Sequence, residues 1–218
     1  MAFVYQPDRY LLKQQIQRQS SFIGGRVLDV GAGEFSRYEG LFQCDEYIKM
    51  DKTSGENIDA IGNVENLPFP GESFNSIVCT QVLGDIQNPQ QAVKEFFRVL
   101  KPGGTVLLTE SQTNETHDEP HDYWRFTKFS LEYLFKQAGF TVVAMDQRGG
   151  YFTTRAQTMI RYLIDKYNLA SRNISRRVMN KFFKAWTMFM IHLDKIDKSL
   201  ANRKHAIGWL IVAKKPSE

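Results

Sequence analysis

Val27-Leu28-Asp29-Val30-Gly31-Ala32-Gly33-Glu34 joins a short apolar run to a glycine turn, and the reading of the fold starts there. With Arg26 in front, the run has the continuous, partly β-branched character of a parallel strand covered on both faces. Gly31 and Gly33 let the backbone turn tightly and bring its N–H groups against a ligand with no Cβ in between. Glycine pairs also occur in turns that bind nothing, so the weight of this one depends on the chain downstream. Tyr47-Ile48-Lys49-Met50 is a second apolar run, and it ends in Asp51, 18 residues beyond Gly33. An acidic side chain at the tip of a second strand, about 20 residues past the glycine turn, is placed to accept hydrogen bonds from ribose hydroxyls.

The alternation continues. A loop, Gly62-Asn63-Val64-Glu65-Asn66-Leu67-Pro68-Phe69-Pro70, precedes a third apolar strand from Ser73 to Thr80. Ala92 to Leu100 has helical spacing, Lys101-Pro102-Gly103-Gly104 stops that helix, and Thr105 to Thr109 is a further strand. Strand and helix in strict alternation predict an α/β fold with a parallel sheet and helices on both faces.

Asp29-Val30-Gly31-Ala32-Gly33, Asp51, Asn66-Leu67-Pro68-Phe69-Pro70 and Arg98-Val99-Leu100-Lys101-Pro102-Gly103-Gly104 together resemble a class I S-adenosylmethionine-dependent methyltransferase of the type 11 small-molecule branch. The resemblance spans roughly residues 20 to 150, with a last strand at Ala206 to Lys214. It implies a Rossmann-like, doubly wound, mostly parallel seven-stranded sheet ending in an antiparallel pair, here Phe140 to Asp146 and Ala206 to Lys214. A dinucleotide-binding enzyme is the competing reading, but its fingerprint asks for glycine where this chain has Ser36. One departure from the methyltransferase pattern is Phe35, where the family often has a third glycine. Carried across, Gly31, Ala32 and Gly33 face the methionine part and ribose of S-adenosyl-L-methionine, and Asp29 orients the loop. Asp51 then holds the ribose hydroxyls, Asn63 receives the adenine amino group, Val64 offers its backbone N–H to the ring, and Gln81 lies under the methionine end. Asn63 as an ordinary turn residue stays open.

At 218 residues, 42% apolar and 24% charged, the chain can bury a full core and has the balance of a globular protein. Cys44 and Cys79 lack metal-ligand spacing and disulfide logic, which predicts a reducing compartment. The N-terminus shows no basic segment followed by an apolar run, so a cytoplasmic protein is expected. Asp8 is placed to cap a helix through about Arg18, which by resemblance lies over the cofactor mouth. Charge is unevenly spread. Residues 1–150 carry 14 basic and 20 acidic side chains, whereas residues 151–218 carry 14 and 4. That asymmetry marks the C-terminal third as a distinct functional surface.

This division predicts a methyltransferase domain over 1–150 and 206–218, with a basic, amphipathic helical insertion over 151–205. In the insertion Ile174, Val178, Phe182, Trp186, Met190, Leu193, Ile196 and Leu200 follow at intervals of three or four, an apolar stripe. Arg176, Arg177, Lys181 and Lys184 crowd the first half of the same helix. Three readings of 174–200 are open. One is burial on the domain or in a homodimer, with the basic residues solvated. Another is peripheral contact with a membrane surface, with aromatic residues at the interface and cations on headgroups. The third, nucleic acid, leaves the stripe exposed and is the least expected.

Acceptor chemistry is expected in the loop from Glu110 to Thr127, because ligands in open α/β sheets sit outside the carboxyl ends of the strands. It concentrates Glu110, His117, Asp118, His121, Asp122, Tyr123, Trp124 and Arg125. Pro120 to Thr127 resembles a segment of bacterial methyltransferases encoded with cell-surface polysaccharide genes. Methyl transfer needs positioning, and a base when the acceptor is a hydroxyl. His121 is the first candidate base, with Glu110, Tyr123 and Arg125 beside it. Bracing of the loop is an equal reading of His121, and Arg125 either holds a phosphate or carboxylate on the acceptor or pairs with Asp122. His117 and His121 have four-residue spacing but no third ligand in register, so no metal is expected. After the third strand Thr80-Gln81-Val82-Leu83-Gly84 stands where amine methylation of bases needs Asn-Pro-Pro and an aromatic. That argues against nucleic-acid bases and toward a small molecule, a saccharide or a lipid, and the expected enzyme O-methylates a small-molecule acceptor or a lipid-linked or nucleotide-linked saccharide. The alternative is a cofactor-binding adaptor without transfer activity that works through its C-terminal helices.

Overall fold

A computed structural model describes residues 5–33, 37–117, 119–169 and 176–217, together with the backbone but not the side chains of Arg176 and Arg177. Glu34, Phe35, Ser36, Asp118 and Ile174 lie outside the described residues. Seven strands form one sheet: β1 (Arg26–Val30), β2 (Glu46–Asp51), β3 (Ala60–Ile61), β4 (Phe74–Thr80), β5 (Leu100–Ser111), β6 (Thr141–Arg148) and β7 (Gly208–Lys214). Their spatial order is β3-β2-β1-β4-β5-β7-β6. β1 pairs in parallel with β2 and β4, β2 with β3, and β4 with β5. β7 runs the other way, since Gly103 N–H donates to Lys215 O near its end while Ile207 N–H, just before its start, donates to Arg148 O. The apolar β1 and β4 have partners on both edges, and Val27, Leu28, Ile77, Val78 and Cys79 are fully buried.

The helices are α1 (Pro7–Gln19), α2 (Pro89–Val99), α3 (Lys128–Gln137), α4 (Tyr151–Lys166), α5 (Arg176–Ile196) and α6 (Leu200–Arg203). Pro89 opens α2, where its missing N–H has no helical partner to lose. Ala92, Val93, Phe96 and Val99 form its buried face. α3 opens on a capping box in which Thr127 and Ser130 bond reciprocally.

Two details differ from the sequence reading. β3 is a two-residue strand with an exposed Ile61, too short to show any period. Lys101 to Gly104 ends the helix, as expected, but lies inside β5. Phe74 pairs with Leu100 and Ser76 with Thr105, so the glycine pair sits in a bulge rather than in a free turn.

The chain divides into two compact units: a sheet unit of Gln15–Ser111, Thr116–Asp146 and Trp209–Glu218, and a helical unit of the residues up to Gln14, Gln112–Glu115 and Gln147–Gly208. The helical unit thus takes in more than 151–205. Its core is Ile160, Ile164, Leu169 and Phe183, with Tyr5, Leu163, Met179 and Trp186 packed against it. Asp194 of α5 caps the start of α4, accepting from the N–H groups of Gly150 (2.9 Å), Phe152 (3.0 Å) and Thr153 (3.1 Å), and from the Thr153 hydroxyl. Arg148, 1% exposed, ion-pairs with Asp8 at 2.7 Å.

The stripe predicted on α5 is buried only in part, with Trp186 packed on the core and Met190 and Leu193 half-buried. Phe183 and Thr187 are buried, in line with Asn180 and Asp194, while Val178, Phe182, Phe189, Ile196 and Leu200 are 58–72% exposed. Polar residues take the inner line because the unit uses them. Asp194 caps α4, and Asn180 Oδ1 accepts from Tyr5 N–H at 2.9 Å.

Candidate functional site

In the sheet unit the carboxyl ends of β1, β2, β4 and β5 come to one edge, at Val30, Asp51, Thr80 and Ser111. The chain leaves β1 through Gly31 and Gly33, both in the left-handed region, with φ of +69° and +62°. Gly31 and Ala32 donate their N–H groups to Met50 O at 2.9 and 3.1 Å, which ties the turn to β2. A Cβ on Gly31 would overlap the Val82 side chain, whereas one on Gly33 would meet no atom of the described residues within 4 Å. Among the described residues Gly33 is therefore the open side of the turn. Its N–H donates to Asp51 Oδ2 at 3.0 Å, and Asp51 Oδ1 accepts from the Thr53 N–H and hydroxyl at 3.2 and 3.3 Å. Asp29, 5% exposed, accepts from the Tyr47 hydroxyl at 2.9 Å beneath the turn.

Asn63 and Val64 lie in the loop after β3. Asn63 Oδ1 accepts from Glu65 N–H at 2.9 Å, which is the ordinary turn arrangement and uses one of its two lone pairs. Val64 is buried. The Leu67-Pro68-Phe69-Pro70 stretch is fixed from α2 by a pair that sequence reasoning missed. Glu95 accepts from Leu67 N–H at 2.8 Å, and Arg98 donates to Phe69 O and Leu67 O at 2.8 and 3.0 Å. Glu95 and Arg98 also bond to each other, and the guanidinium holds the Glu95 carboxyl below the usual carboxylate range. Their three-residue spacing on a helix was the available signal.

Gln81, just past β4, has φ of +59°, uncommon for a residue with a side chain. Three contacts lock it: Gln81 N–H to Thr109 O (2.9 Å), its amide nitrogen to Thr109 Oγ1 (3.3 Å), and the Ser111 hydroxyl to Gln81 Oε1 (2.6 Å). Glu110, 2% exposed, accepts from the N–H groups of Val82 and Leu83 at 2.9 and 2.6 Å through one oxygen. Glu110 thus acts as a brace on the 81–83 turn in this geometry. Burial, reinforced by the Glu110 and Asp29 charges, pushes the Cys79 thiol well above its usual range, so it is not a reactive thiolate.

The acceptor loop is stitched to the same turn. Tyr123 and Trp124 both donate their N–H groups to Gly84 O, at 2.9 and 3.0 Å, and the Trp124 indole donates to Ile86 O at 3.0 Å. The two aromatic side chains stay 40% and 43% exposed. His121 is exposed, with Nδ1 3.2 Å from the Tyr123 hydroxyl, which also accepts from Gln87 at 3.3 Å. Arg125 is held by Asp122 through two parallel bonds of 2.5 and 2.7 Å. Those bonds outweigh burial and hold the Asp122 carboxyl down at about 2, with His117 N–H adding a third bond at 3.0 Å. Arg125 is thus the paired arginine of the two readings. Among the described residues Asp85, His117 and Asp122 bring potential metal ligand atoms within 4.8 Å of one another, but both Asp122 oxygens already receive Arg125. A cavity of about 710 Å³ lies at the amino-terminal edge of the sheet, between Ser20–Gly25, Asn75 and Lys101–Thr105, and no candidate residue lines it.

The strand order is that of a Rossmann-like methyltransferase fold. Residues 24–108 match the model of a family described as a methyltransferase domain. Among curated proteins, the ubiquinone/menaquinone biosynthesis C-methyltransferase of Hahella chejuensis is 30% identical over 130 residues, 50% of this chain and 52% of that protein. Its Cronobacter sakazakii counterpart is 35% identical over 107 residues, 40% and 43% of the two chains. The chain therefore spans about half the length of the curated relatives it matches. Of solved structures, the [4+2]-cyclase SpnF superposes with a TM-score of 0.59 at 22% identity, over 97% of this chain and 81% of that one. Haemonchus contortus phosphoethanolamine N-methyltransferase 2, in complex with S-adenosyl-L-methionine, gives 0.57 at 15% identity, over 94% and 52%. At these identities the superpositions speak for the fold alone.

Proposed function

We propose that the chain is an S-adenosylmethionine-dependent methyltransferase acting on a hydroxyl of a small-molecule, lipid-linked or nucleotide-linked saccharide acceptor. One observation carries the cofactor half of this reading: the open turn at Gly33, whose N–H is held on the Asp51 carboxylate. The match over residues 24–108 supports it. Asp51 has three of about four acceptor sites in use, so ribose hydroxyls take the remaining one and compete with Thr53. Ala32 lines the turn between the glycines, Asp29 steadies it from below, and Gln81, locked by Thr109 and Ser111, presents its backbone to the methionine end. Asn63 and Val64 border the adenine. When bound, the cofactor supplies an electrophilic methyl group on a sulfonium, so the protein has to place the acceptor in line and remove a proton.

His121 takes that proton in this reading. Its Nδ1 engages Tyr123, which leaves Nε2 for the acceptor hydroxyl. Trp124 and Tyr123 offer exposed aromatic faces to a sugar ring. Arg125, Asp122 and Glu110 keep the two loops in place and act as positioning residues. The test has two arms. Isothermal titration with S-adenosylmethionine should show binding, and labelled methyl should pass to nucleotide-linked or lipid-linked sugars. His121→Ala should lower turnover about 10²–10⁴-fold with cofactor affinity unchanged. Cofactor binding without transfer to any acceptor would favour the adaptor reading, and loss of cofactor affinity in step with activity would assign His121 to bracing.

A further inference from the structure

α5 has a mixed inner line and an apolar outer line, and the helical unit covers only the inner one. Phe183, Thr187 and Asp194 face the core and α4, while Val178, Phe182, Phe189 and Ile196 stand in solvent, with Leu200 of α6 continuing the line. On a helix of 3.6 residues per turn those four exposed positions fall within about 40° of one another. They form one narrow ridge with two phenylalanine rings at its middle. Soluble monomers seldom leave such a row uncovered.

Charge decides what covers it. Lys181, Lys184 and Lys195 are all exposed and lie on one side of the helix, about 60–120° round from Val178 and Ile196 of the ridge. Residues 176–196 carry five basic side chains and one acidic one, and that carboxylate, Asp194, is engaged by the start of α4. A second copy laid on the ridge would set lysine against lysine with no carboxylate to separate them. A surface of anionic headgroups over hydrocarbon satisfies both the ridge and its flank. Among the described residues no helix is long and apolar enough to cross a membrane, so α5 would lie in the plane of the interface.

We infer that α5 is a docking face for an anionic lipid surface. Phe182, Phe189 and Ile196 enter the acyl boundary, and Lys181, Lys184 and Lys195 meet the phosphates. The inference stands apart from methyl transfer, since it concerns a different part of the chain and its test reads partition rather than turnover.

The full chain should co-sediment with vesicles of phosphatidylglycerol and phosphatidylcholine, but not of phosphatidylcholine alone, and the bound fraction should fall as salt rises. Lys181→Gln and Lys184→Gln should each weaken partition about fivefold, the ratio equivalent to about 1 kcal/mol per basic residue at an anionic surface. Phe182→Gln with Phe189→Gln should abolish it at unchanged melting temperature. If that pair melts early, Ile196→Gln at the far end of the ridge gives the same reading. No partition into anionic vesicles at low salt overturns the inference, as does partition that survives these substitutions. A dimer that Phe189→Gln converts to monomer, with no vesicle binding, assigns the ridge to a second copy. Preference for an oligonucleotide over vesicles assigns the flank to nucleic acid.

Discussion

Asp51 and Asp122 are two carboxylates with opposite assignments. Asp51 sits at a strand tip with an acceptor site to spare, so Asp51→Ala should weaken S-adenosylmethionine binding by about 1.5–3 kcal/mol in a calorimetric titration, the scale of hydrogen bonds to a charged group. Unchanged affinity would remove Asp51 from the site. Asp122 instead holds its own loop. Arg125 lowers its carboxyl from 3.8 to about 2, and a folded value below the unfolded one stabilises the protein at pH above about 4 and is lost as pH falls through about 2. In Arg125→Gln the carboxyl should rise toward its ordinary value. Acid unfolding should then begin at higher pH, and melting curves taken from about pH 5 down to 2 would show it. The glycine turn and Asp51 were legible in the sequence because backbone freedom and a strand-tip acid are local properties. The pairing of Arg125 was left open because arginine on a ligand and arginine on a neighbour have the same spacing.

Between elements, backbone donors decide which residues matter, and a sequence shows them poorly. Glu110 carries the link between β5 and the turn after β4, holding one buried and one half-buried N–H group on one oxygen. Glu110→Ala should cost about 2–4 kcal/mol of stability, since an unsatisfied buried donor costs about 1–3 and a half-buried one less. Glu110→Gln keeps an acceptor and should recover most of the melting temperature and the turnover. If Glu110→Gln folds as well as the parent but is inactive, the carboxylate has a chemical role that the bracing geometry does not describe. The stripe on α5 shows the same blind spot. Hydrophobicity alone selects the most apolar line, whereas the fold buries the adjacent line because Asn180 and Asp194 are needed there as hydrogen-bond acceptors. The Leu-Pro-Phe-Pro loop was seen, but its anchor on Glu95 and Arg98 became visible only once α2 lay beside it.

Across the whole chain, the alternation of strands and helices was read correctly because a parallel sheet requires both its apolar runs and its crossovers. The extent of the helical unit was not, because Asp8 and Arg148 are 140 residues apart and no local pattern joins them. Removing one partner of a buried ion pair leaves the other charge less well compensated. Asp8→Ala should therefore lower stability by about 3–5 kcal/mol, read by chemical denaturation. A loss below about 1 kcal/mol would mean that the other contacts of Arg148 carry its charge. The position of β7 matters for a different process, synthesis on the ribosome. β7 is made about 60 residues after β6, yet its place in the sheet is between β5 and β6. Until it emerges, two strands wait with unpaired edges, and each edge is a template for a neighbouring nascent chain. The long helical stretch made in the interval sets how long that wait lasts. A stalled or slowed ribosome within 151–207 would therefore expose this protein to aggregation more than a pause anywhere upstream of β6.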